Sequence, residues 1–121
     1  MYEVIVKSEF SAAHRLRNYK GKCENLHGHN WDVEAAVSSR TLDKNGLLID
    51  FKIIKDRLKN ILDKFDHSCL NELPYFKKKN PTSENIAKFI FDRLKKEGIM
   101  PHRVSIWESD TSCATYFGRK R

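Results

Sequence analysis

The hydrophobic pattern of this chain changes period twice, from about two residues to about 3.6 and back to two, and that order constrains the fold most. Over residues 2–13, Tyr2, Val4 and Val6 alternate with Glu3, Ile5 and Lys7; over 29–39, Trp31, Val33, Ala35 and Val37 do the same. Both stretches predict strands. The polar, basic segment 15–26 between them, with Gly21, predicts a loop. Asp43-Lys44-Asn45-Gly46 predicts a turn, because Asn-Gly accepts positive φ. Phe51, Ile54, Leu58, Ile61, Leu62 and Phe65 then fall on one face of a helix, with Asp50 at its N-cap. Residues 66–81 carry Pro74 and Pro81 and predict a long loop. A second helix follows, capped by Thr82 or Ser83, with Ile86, Phe89, Ile90 and Leu94 inward. Gly98 closes it and Pro101 bars its continuation. Strands at about 103–109 and 112–118 complete the chain.

The order ββααββ predicts an α+β fold: a four-stranded antiparallel sheet with two helices on one face, forming one domain over residues 1–121. Four strands are too few to close a barrel. Both sheet edges stay open, and open edges invite pairing with another copy, so a homo-oligomer is expected. With 40% hydrophobic and 32% charged residues the chain is not of the disordered class. No apolar run approaches the ~18 residues of a membrane span, and the alternating N-terminus is unlike a signal peptide. Cys23, Cys69 and Cys113 lack the spacing of a disulfide framework, so a reducing, cytoplasmic setting is expected. Cys113 reads as strand packing. The formal charge of +7 favours anionic partners, although Lys77-Lys78-Lys79 and Arg119-Lys120-Arg121 read as solvated loop and tail.

His27-Gly28-His29 opens the second strand, where residues two apart share a face and two imidazoles can meet one ion. The loop before it returns the chain antiparallel, which brings His14, at the end of the first strand, beside them. Three neutral nitrogens with a fourth position open describe a catalytic zinc site; three ordinary histidines are the alternative, and a structural zinc closed by Cys23 is a third reading. Cys23 stands between Lys20, Lys22 and this cluster, a setting that lowers a thiol pKa. Asp66-His67 follows the first helix. The pair suits proton transfer, and equally a histidine at the negative end of a helix. Glu108 continues the apolar face of Val104 and Ile106 and needs a partner there: a guanidine-like ring edge, as on a pterin, or a salt bridge.

Taken together, Phe10-Ser11-Ala12-Ala13-His14-Arg15-Leu16, Cys23-Glu24-Asn25-Leu26-His27-Gly28-His29, Leu48-Ile49-Asp50-Phe51, Asp66-His67 with Leu70-Asn71, Asn80-Pro81-Thr82-Ser83-Glu84, and Glu108 resemble the 6-pyruvoyl- and 6-carboxy-tetrahydropterin synthase family in order and nearly throughout the chain. The resemblance implies the tunnelling fold (T-fold), whose subunits join sheets into trimeric barrels that stack as hexamers. It implies zinc on His14, His27 and His29, Cys23 as proton acceptor, Asp66 and His67 as its relay, and Glu108 as the catalytic carboxylate anchoring the pterin ring. Thr82 and Ser83, in the shared Asn80–Glu84 motif, are assigned to substrate binding. The implied substrate is 7,8-dihydroneopterin triphosphate, whose anionic tail gives Arg15, Arg17, Lys20 and Lys22 a use. The short Cys-x-x-x-His-Gly-His spacing resembles the carboxy branch, which releases acetaldehyde and triphosphate and feeds queuosine synthesis. The pyruvoyl branch is the alternative. A zinc-stabilised nucleic-acid-binding module is a third reading, one that leaves the relay residues without a purpose.

Overall fold

The computed structural model describes residues 1–21 and 25–118. Strand β1 (Tyr2–His14) pairs antiparallel with β2 (His27–Ser39) along its whole length, from Tyr2 opposite Ser39 to His14 opposite His27. Helix α1 (Phe51–Leu62) follows, then a two-residue strand β3 (Ser68–Cys69), two short 3-10 turns, helix α2 (Ser83–Lys96), and the strands β4 (Arg103–Ser109) and β5 (Ser112–Phe117). The sheet order is β3-β1-β2-β4-β5.

Alternation gives β1 and β2 one shared buried face. Val6, Phe10, Ala12 and His14 on β1 meet Trp31, Val33, Ala35 and Val37 on β2, and Val104 and Ile106 of β4 continue it. Ile54, Leu58, Ile61, Ile86, Ile90 and Leu94 of the two helices close that face. Burying an aliphatic side chain of this size stabilises by ~1.5–3 kcal/mol. The helix starts are chemically defined: Asp50 accepts the Lys52 N–H, and Thr82 the Asn85 N–H. Gly98 follows α2 at φ +89°, a conformation only glycine adopts cheaply.

The sheet has five strands rather than four. Chain returning from α1 is caught by the β1 edge, where Ala12 and Ala13 pair in parallel with Ser68 and Cys69. The remaining β1 edge and the whole β5 edge carry no ladder among the described residues. Three further expectations are corrected. Phe51, expected on the buried face, is 53% exposed because the helix begins before it reaches the core. Phe89 is only partly buried, and Ala87 and Phe91 take core positions beside Ile86 and Ile90. Cys113 is exposed, because it pairs with Trp107 on the face away from the helices.

Candidate active site

His14 is the last residue of β1 and lies directly opposite His27, the first of β2. His29, two residues on, shares the face of His27. The rings meet edge to face at centroid separations of 4.7 Å (His14–His27), 4.9 Å (His27–His29) and 5.4 Å (His14–His29). Trp31 forms the floor, 4.8 Å from the His14 ring and 5.4 Å from that of His29. Its indole N–H is used internally, donating to the Ala12 carbonyl at 3.2 Å.

A fourth group joins them. Glu108 reaches the cluster because β4 pairs with β2, continuing the inward face past Ile106 where the β4–β5 ladder shifts register between Trp107 and Ser109. Its Oε2 lies 3.1 Å from His14 Nε2 and 3.3 Å from His29 Nε2. One donor atom from each of His14, His27, His29 and Glu108 falls within a 4.8 Å group.

Two of the imidazoles have a fixed outer partner. His14 Nδ1 lies 2.8 Å from the Pro81 carbonyl and His27 Nδ1 lies 2.8 Å from that of Asn25. A carbonyl only accepts, so each Nδ1 carries the proton and each Nε2 presents a lone pair. His14 Nε2 is then buried without a hydrogen bond, facing a carboxylate oxygen. Two lone-pair groups 3.1 Å apart repel unless a proton or a metal cation lies between them. Leaving a buried polar atom unmatched costs ~1–3 kcal/mol. The donor set therefore fits a divalent metal. Tetrahedral ligation at ~2.0–2.1 Å brings ligand nitrogens to about 3.3 Å of each other, a modest contraction of what is present. His27 is exposed, so the centre opens on that side.

Asp66 and His67 are built on the other side of β1. Ser11 brackets the pair: its N–H donates to Asp66 Oδ1 at 2.8 Å, and its carbonyl accepts the His67 N–H at 2.6 Å. Asp66 Oδ2 is 3.2 Å from His67 Nδ1. His67 has φ +58°, a left-handed backbone that costs a non-glycine residue energy and that these bonds enforce. The Ser11 N–H, and after it the His67 imidazole, hold the Asp66 carboxyl below its usual value of 3.8. A shallow cleft of about 470 Å³, lined by Ser11, Gly28, His29, Asn30, His67 and Ser68, lies beside His67 and borders His29. His67 is not in the His14–His27–His29–Glu108 cluster.

The other expected site residues sort as follows. Cys23 and Lys22 lie outside the described residues. Thr82 is the α2 N-cap and Ser83 the first residue of that helix, both half-buried. Arg17 is committed to structure, its guanidinium donating to the Phe76 and Lys79 carbonyls. Arg15 and Lys20 are exposed. Glu108 as a neighbour of the metal ligands was not legible, since its place depends on β2 pairing with β4. Ser11, whose part is played by its backbone, has no side-chain signal at all.

The half-open α+β sheet thus carries, at the end of its longest strand pair, a three-histidine, one-carboxylate cluster that fits a metal ion. The chain belongs to the 6-pyruvoyl tetrahydropterin synthase family, whose model matches residues 3–119. It is 38% identical over 111 residues to the 6-carboxy-5,6,7,8-tetrahydropterin synthase of Rickettsia conorii, covering 78% of this chain and 80% of that one. It is 35% identical over 123 residues to the enzyme of the same name from Synechocystis, covering 97% and 94%. The structure of Caenorhabditis elegans 6-pyruvoyl tetrahydropterin synthase matches with a TM-score of 0.85 at 30% identity, covering 98% of this chain and 96% of that one. The family's T-fold is therefore the fold of this chain.

Proposed function

We propose that the protein is a zinc-dependent 6-carboxy-5,6,7,8-tetrahydropterin synthase, converting 7,8-dihydroneopterin triphosphate and water to 6-carboxytetrahydropterin, acetaldehyde and triphosphate. The observation that carries the proposal is the convergence of three imidazoles and the Glu108 carboxylate within a 4.8 Å group, with an oriented Asp66–His67 pair on the far side of β1. The atoms balance only with water. The carbon attached to the ring is oxidised to a carboxylate, the dihydro ring is reduced to the tetrahydro level, and two side-chain carbons leave as acetaldehyde. No outside oxidant is needed, so the protein's task is to move protons.

His14, His27 and His29 would hold the zinc through Nε2. When bound, it supplies Lewis-acid polarisation of side-chain oxygens, making neighbouring protons easier to remove. The chain's own groups do the rest. Asp66 orients His67 through Nδ1, leaving His67 Nε2 to take or return a proton at the cleft. Cys23, in the basic segment before His27, is the second proton acceptor. Glu108 keeps Oε2 toward the imidazoles and offers Oε1 to the pterin ring. Thr82 and Ser83 stand at the start of α2, where backbone N–H groups and the helix dipole favour an anion. Arg15 and Lys20 remain exposed for the triphosphate.

The relatives named for the carboxy product favour that branch and, with it, a place in queuosine synthesis. A pyruvoyl product is the second reading, favoured by the likeness to the C. elegans structure. Zinc is tested by metal analysis of wild type and His27→Ala. About one zinc per chain is expected in the former and little in the latter, since two imidazoles hold zinc poorly. Full turnover by a protein kept metal-free would refute the proposal.

A further inference from the structure

Two asparagine side chains extend β1 past its last residue. Asn71 Oδ1 accepts the Arg15 N–H at 2.9 Å and its Nδ2 donates to the Arg15 carbonyl at 3.0 Å. Asn80 does the same to Arg17, at 2.8 Å and 3.0 Å. An amide that meets both backbone groups of one residue imitates a neighbouring strand, so the segment 15–17 is held against 71–80 as if in a ladder. Asn80 is also pinned from its other side. Its carbonyl accepts the Thr82 N–H at 2.8 Å and Asn85 Nδ2 at 2.9 Å, tying it to the start of α2. The next residue, Pro81, turns its carbonyl to Nδ1 of His14, which is 3% exposed.

That carbonyl decides which nitrogen of His14 carries the proton. Moved away, it would leave the neutral imidazole free to carry its proton on Nε2 instead, the nitrogen that faces Glu108. Proline contributes no N–H of its own, so the carbonyl's position is set by what fixes the peptide on each side. On one side that is the α2 cap, and on the other the Asn80–Arg17 pair.

We propose that Asn80 is a positioning residue of the metal centre. By fixing the chain that leads into Pro81 between Arg17 and α2, it sets the Pro81 carbonyl on His14 and holds the Nδ1–H tautomer, so that Nε2 is presented to a divalent cation. This rests on the metal reading above and extends it to a residue outside the ligand set, acting through a backbone carbonyl.

The test uses the full chain stripped of metal. Zn²⁺ is titrated into wild type, Asn80→Asp and Ile54→Val, the last a core truncation on α1 that measures what lost stability alone does to the affinity. Asn80→Asp still accepts the Arg17 N–H but loses the donor to the Arg17 carbonyl and sets oxygen against oxygen. Zinc affinity should weaken about 10- to 100-fold in Asn80→Asp, the usual effect of an outer-shell partner, and hold steady in Ile54→Val. On the same metal-free samples, nitrogen NMR of labelled imidazoles should find His14 solely as the Nδ1–H form in wild type and as a mixture in Asn80→Asp. If Asn80→Asp folds poorly, Asn85→Ala removes one staple from the Asn80 carbonyl and should move both readings the same way by less. Unchanged zinc affinity, or a sole Nδ1–H form retained in the variant, overturns the proposal. A wild type that binds no zinc refutes the metal reading instead, and the tautomer measurement still decides the role of Asn80.

Discussion

At the end of β1 a buried imidazole, His14, faces an exposed one, His27, across the ladder, and the contrast assigns different work to each. The buried nitrogen has its tautomer fixed and its lone pair aimed inward; the exposed ring borders the entrance. In the proposed chemistry the base is Cys23, four residues before His27 in the sequence. Cys23→Ala should retain zinc and fold while turnover falls by ~10²–10⁴, the usual contribution of a positioned base. Zinc content and product formation, measured on one preparation, check this; loss of zinc would instead make Cys23 a ligand. Asp66 carries a pH dependence whose sign is fixed. Its folded pKa is depressed, chiefly by the Ser11 N–H, so its contribution to stability is present above the unfolded value of 3.8 and lost as pH falls below it. Asp66→Asn should therefore lower stability at neutral pH and flatten its acid dependence, the two proteins converging as pH falls below 3.8. It should also slow turnover, because an amide no longer holds the Nδ1 proton of His67. Acid titration of the thermal midpoint tests the first part, and steady-state rates the second.

At the scale of elements, the start of α2 serves two ends: Thr82 caps the helix, and the Pro81 carbonyl just before it meets Nδ1 of His14. The Thr82 hydroxyl accepts the Asn85 N–H at 3.1 Å. Thr82→Ala should therefore cost ~1 kcal/mol, lowering the thermal midpoint by about 4 °C in a chain of this size. A calorimetric scan checks it. The two caps, the two helices and the four long strands were legible in the sequence because period and capping are local properties. The His14–His27 pairing was legible because two consecutive alternating strands joined by one loop return antiparallel, bringing the end of the first to the start of the second. What escaped depends on contacts distant in sequence. β3 exists only because the β1 edge catches residues 68 and 69. Glu108 joins the metal ligands only once β4 lies on β2. Asn71 and Asn80 stand in a stretch read as plain loop, and nothing in their spacing announces that they pair with Arg15 and Arg17.

For the whole molecule, an incomplete sheet and an open site point the same way. β1 beyond its contact with β3 and β5 throughout leave backbone groups unladdered among the described residues. Tyr2, Ile5 and Phe117, at 50%, 42% and 59% exposure, stand along those two strands. A second copy of the chain is the partner that satisfies such edges. Light scattering in dilute solution should thus report a multiple of 14.2 kDa, a hexamer in the assembly inferred here; a clean monomer would refute the edge argument. No helix among the described residues is long and apolar enough to cross a membrane. The formal charge of +7 is consistent with a substrate whose leaving group is a triphosphate. The central claim is the reaction itself, and mass analysis of the pterin product tests it most directly. Zinc-loaded protein given 7,8-dihydroneopterin triphosphate should yield 6-carboxytetrahydropterin with equal amounts of acetaldehyde and triphosphate. A 6-pyruvoyl product with no acetaldehyde, or unchanged substrate, would contradict the account.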